Sequence, residues 1–111
     1  MAEDDSSIAE LQNLEQALQN LALQRQNFQL QLAEVESALE HLEMAEKAYK
    51  IVGGIMVLSD KDSLKSELES KKEVLTLRIS SIEKQEESLK KKASDLQKRV
   101  VDGLKGHHHE H

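Results

Sequence analysis

Tyr49-Lys50-Ile51-Val52-Gly53-Gly54-Ile55-Met56-Val57-Leu58, at the middle of a 111-residue chain, sets β-branched residues on both sides of a double glycine. Paired glycines supply the positive φ angles that a two-residue type I′ or II′ turn requires, and Ile51, Val52, Ile55 and Val57 suit a pleated surface. The stretch is therefore expected to form a β-hairpin over residues 48–59. Its two faces are both apolar. An isolated hairpin is marginal in water, and one with two apolar faces and open edges would aggregate, so it has to pair with something outside this chain.

On either side the pattern changes from β-branched residues to heptads. Upstream, Leu11, Leu18, Arg25, Leu32 and Leu39 alternate with Leu14, Leu21, Phe28, Val35 and Leu42 in steps of three and four, with Arg25 as the one polar interruption. A seam of period 3.5 sustained over this length specifies a coiled coil rather than a globular helix. Ser7 with Glu10 three residues on has capping-box spacing, so the first helix is expected over 7–47. Downstream, Leu68, Leu75, Ile82, Leu89 and Leu96 repeat every seventh residue, interleaved with a half-polar set of Lys65, Lys72, Ile79, Glu86, Ala93 and Val100. Ser59 or Asp60 can cap this second helix, expected over 60–102, and Gly103 can close it, leaving 103–111 as a flexible tail of the single domain 1–111.

A short hairpin between helices of similar length makes them antiparallel. Pairing each seam with its opposite number gives one register: Leu11 with Leu96, Leu18 with Leu89, Arg25 with Ile82, Leu32 with Leu75 and Leu39 with Leu68 all share an index sum of 107. The same sum sets Leu14 against Ala93, Leu21 against Glu86, Phe28 against Ile79, Val35 against Lys72 and Leu42 against Lys65. Charge agrees, since residues 1–47 carry ten acidic and two basic side chains while 61–102 carry nine and eleven. Arg25 and Glu86 fall in neighbouring layers and are expected to meet and help fix the register; the alternative is that each reaches out to solvent separately.

Composition narrows the functional classes. The chain is 2% aromatic and 32% charged and contains no proline, the balance of long solvated helices rather than of a packed α/β domain. With no cysteine, neither a disulfide framework nor a catalytic thiol is available. A net charge of −6 without a basic stripe argues against nucleic acid, and no apolar run is long enough to span a membrane. The acidic start from Met1 to Asp5 lacks the basic and apolar regions of a signal peptide, so the cytoplasm is the expected location. No serine has a histidine and carboxylate around it, Gly53-Gly54 lacks the lysine and hydroxyl of a phosphate loop, and no cofactor or enzymatic activity is expected. The run Lys90 to Lys92, flanked by Glu86, Glu87 and Asp95, reads as a solvated face or a contact for an acidic partner. His107, His108, His109 and His111 offer imidazoles for a metal, but the loose terminus or tag remnant that they suggest has no rigid element to hold them.

With its flanking leucine heptads, the segment Tyr49 to Val57 resembles the hairpin of prefoldin β-type subunits, and the resemblance extends from about Leu11 to Val100. One hairpin rather than two marks the β type. The resemblance implies a mainly α fold, an antiparallel two-helix coiled coil whose central hairpin, formed by Tyr49, Ile51, Val52, Gly53, Gly54, Ile55, Met56, Val57 and Leu58, joins an oligomeric β-barrel. It further implies a hexamer with α-type subunits and other β-type copies, ATP-independent capture of unfolded proteins, and their transfer to a group II chaperonin. Capture would fall at the free helix ends, at Ile8, Leu11 and Leu14 beside Leu96, Val100, Val101 and Leu104, where ordinary seam packing is the competing reading. A scaffolding coiled coil that dimerises through its helices is the alternative function; it would have no need of the hairpin.

Overall fold

The computed structural model describes the backbone of residues 2–109 and the side chains of residues 6–104. It is mainly helical: α1 (Ala2–Met44), β1 (Ala48–Val52), β2 (Ile55–Ser59) and α2 (Lys61–His109). The strands form a two-stranded antiparallel sheet in which Ala48 faces Ser59, Lys50 faces Val57 and Val52 faces Ile55. Gly53 and Gly54 have φ of 57° and 80°, the positive pair of a type I′ turn.

The chain divides into two compact units, one made of the chain through Arg25 with the chain from Ser81, the other of Gln26–Ser80. In the first, Glu10 and Leu14 of α1 line a shallow groove with Lys92, Asp95, Leu96 and Arg99 of α2. Arg25 meets Glu86 in the same unit, so rising numbers on α1 face falling numbers on α2, as an antiparallel pair requires. In the second, the Arg78 guanidinium lies 5.6 Å from the Phe28 ring centroid, a cation–π contact, and Leu42 shares an apolar recess with Leu64 and Leu68. Phe28 with Arg78 falls one short of the expected index sum and Arg25 with Glu86 four above it, so the pairs lie no more than about one helical turn from the register read from the seams.

Burial follows the heptads. Val35, Leu42, Leu75, Ile79, Ile82 and Leu96 are buried, and every other α1 seam residue from Leu11 to Leu39 is at least half-buried. Two expected seam positions depart from this pattern, because Lys65 and Lys72 are exposed. Leu64 is half-buried where Lys65 was expected, since an ammonium keeps its hydration by staying in water while a leucine one position earlier takes the apolar side.

The helix ends also depart from the sequence reading. Helix α1 runs back to Ala2, so Ser7 lies inside it rather than capping it; no glycine or proline precedes Gly53 to break the helix earlier. It stops at Met44 instead of 47. Helix α2 continues through Gly103 to His109, because Gly103 does not adopt the positive φ of a closing residue; among the described residues only Gly53 and Gly54 do. The start of α2 is as read for Asp60. Its carboxylate accepts the Ser63 backbone N–H at 3.1 Å and its carbonyl accepts that of Leu64 at 2.9 Å, an N-cap that supplies partners to the open end of the helix. The side chains of the His-rich terminus lie outside the described residues.

Candidate functional site

The hairpin presents an uncommon surface. In an antiparallel ladder facing residues share a side, so Tyr49, Ile51, Met56 and Leu58 form one face, while Ala48, Lys50, Val52, Ile55, Val57 and Ser59 form the other. The first face is wholly apolar apart from the tyrosine hydroxyl. On the second, Ala48 is buried and Lys50 turns to α2, donating from Nζ to Glu67 Oε1 at 2.8 Å and Oε2 at 3.1 Å. The seven large apolar residues of the strands are between 48% and 70% exposed, from Val57 to Ile51, and with only two strands in the sheet both edges carry unpaired backbone groups. Water-exposed apolar area on this scale, present on both faces, marks an interaction surface or an aggregation-prone one rather than an ordinary solvated strand pair.

At Gly53 and Gly54 no atom lies within 4 Å of where a Cβ would stand, so glycine is required there by backbone conformation and not by crowding. This is the local reason that the strands can turn in two residues.

The polar pair read from the seams is present. Arg25 Nε donates to Glu86 Oε1 at 2.8 Å, with side-chain exposures of 29% and 7%. Glu86 is the one buried charged residue among the described residues, and the guanidinium satisfies it inside an otherwise apolar seam. Glu83, Glu87 and Lys90 border the same recess.

Among the residues expected at the helix ends, Ile8, Val101 and Leu104 are exposed. Leu11, Leu14 and Val100 are half-buried, and Leu96 is part of the core. The seam reading therefore describes Leu96, while the exposed trio retains free apolar surface. Sequence reasoning passed over Lys61, whose Nζ donates to the carbonyls of Glu43 at 3.2 Å and Ala45 at 2.9 Å; a lysine opening a helix gives no pattern that distinguishes it from a solvated one. Among the described residues no group of three or more His, Cys, Asp or Glu is placed to hold a metal ion, and no helix is long and apolar enough to cross a membrane.

Comparison with known proteins agrees with this geometry. The family model described as prefoldin subunit matches residues 6–106. The crystal structure of the prefoldin beta subunit from Thermococcus strain KS-1 superposes with a TM-score of 0.88 at 31% identity, covering 94% of each chain. Prefoldin subunit beta of Sulfurisphaera tokodaii is 45% identical over 56 residues, and that of Methanococcus vannielii 39% over 56. In these two alignments the match spans half of this chain and 45% and 50% of the relatives' own lengths. Two long helices joined by an exposed, largely apolar hairpin define a helical-hairpin subunit of the coiled-coil class. The chain belongs to the prefoldin family, and its similarities are to the β type.

Proposed function

We propose that this chain is one of the β-type subunits of a hexameric chaperone, assembled with α-type subunits and further β-type copies, that captures unfolded proteins without ATP and passes them to a group II chaperonin in the cytoplasm. The observation that carries the reading is the hairpin, apolar on two faces and open on both edges. Strands from several subunits closing into a barrel would bury that surface and remove most of the edges. A coiled coil that only dimerised through its helices would leave the hairpin unexplained.

Capture is assigned to the helix ends in the first unit, and within them to Ile8, Val101 and Leu104, which keep apolar surface that helix pairing does not use. Leu11, Leu14, Leu96 and Val100 support that end from within the seam and contact clients only where the helices fray. Apolar side chains held on helix termini can adapt to many partners, as promiscuous capture requires.

Replacing Ile8, Val101 and Leu104 together by serine tests this division without touching the seam. The assembled complex is expected to retain its size by light scattering and to lose most of its ability to suppress aggregation of a diluted, denatured client. Undiminished suppression would move capture elsewhere; loss of assembly would show that these ends hold the complex together.

A further inference from the structure

Helix α1 ends without the usual means of closing. Its last four carbonyls have no partner within the helix, and no glycine follows until Gly53, so the left-handed closure that commonly satisfies them is absent. The Ala45 N–H reaches only the Leu42 carbonyl, at 3.3 Å. His41, the basic residue of the last turn, directs Nδ1–H back to the Ser37 carbonyl at 2.7 Å and leaves the end of the helix open. One further carbonyl of the last turn, that of Glu43, and the Ala45 carbonyl just beyond the helix find a donor from across the hairpin. Lys61, first residue of α2 and half-buried, donates to the carbonyls of Glu43 and Ala45 on the far side of both strands.

We infer that Lys61 is the C-cap of α1 supplied from α2, and that with Lys50 it forms a latch that holds the hairpin at a set angle to its helices. A cation at this position also meets the negative end of the α1 dipole. Lys61 closes the chain into a loop at the base of the hairpin, and Lys50, the only charged residue on either strand, ties β1 to Glu67 one to two turns along α2. Both attachments depend on a lysine charge. Neutralising Lys61 frees the last turn of α1 and the segment leading to β1 together, because the same ammonium holds Glu43 inside the helix and Ala45 just beyond it. The latch lies within a single chain and operates whatever the hairpin pairs with.

Amide hydrogen exchange on the 111-residue chain, read by mass spectrometry, tests the latch in K61M, K61R and, as a control at an exposed lysine of the same helix, K71M. In K61M the amides of residues 42–49 are expected to exchange about fivefold faster than in the unaltered chain, with K61R close to the unaltered chain and K71M unchanged. Equal protection in K61M would overturn the inference, as would an identical effect in K71M, which would mark a loss of charge in general. If K61M does not fold, K61Q carries the same measurement, its shorter amide being unable to span to both carbonyls; unchanged protection there overturns the inference equally.

Discussion

Gly53 and Gly54 show what one residue decides in this chain. Because nothing crowds either position, alanine at Gly54 meets only backbone strain, and G54A is expected to destabilise the hairpin by about 1 kcal/mol, measured as faster amide exchange confined to residues 48–59. Arg25 and Glu86 act differently, since each needs the other. Removing Arg25 leaves the buried Glu86 carboxylate without its partner, so R25L is expected to cost about 1–3 kcal/mol by denaturant unfolding, whereas R25L/E86L together should be close to neutral. Additive losses in that cycle would remove the pair from the account. The pair was legible in the sequence because Arg25, the one polar residue of the first seam, and Glu86, the one acidic residue of the second, fall in neighbouring layers of a single register. The placing of Lys65 and Lys72 in the seam was not sound, because a heptad index fixes where a Cα sits but not whether a lysine stem leaves the seam for water.

At the scale of elements, the hairpin was the most legible part. A switch from period 3.5 to β-branched residues around Gly-Gly fixes its existence, its turn and its bounds at once, and the strands Ala48–Val52 and Ile55–Ser59 fall where that switch puts them. Helix ends were harder to read. Ser7 with Glu10 has the spacing of a capping box but lies inside α1, since such a box acts only where the chain has a reason to leave the helix. Gly103 offers a left-handed closure that the helix does not take. Asp60 does have such a reason, because the hairpin strand ends beside it, and its carboxylate meets the Ser63 N–H. D60A is expected to lower stability by about 1 kcal/mol, with increased exchange in the first turn of α2, whereas D60N keeps most of the cap.

For the whole molecule, two long helices alone would describe any number of coiled-coil proteins, and the family emerges only when the hairpin is set between them. Heptads recur wherever helices pair, so they carry the fold but little of the function. What the sequence could not show is which apolar residues at the helix ends remain uncovered once the helices pair; burial separates Ile8, Val101 and Leu104 from Leu96, although all four are aliphatic. The exposed hairpin is the feature that the proposed assembly explains, by covering its apolar surface and open edges. The direct measurement is native mass spectrometry of this chain alone and after mixing with an α-type prefoldin subunit. A hexamer containing both chains is expected, lost when Ile51 and Met56 are both replaced by lysine; a stable homodimer that ignores the α-type chain and survives those replacements would contradict the proposed assembly.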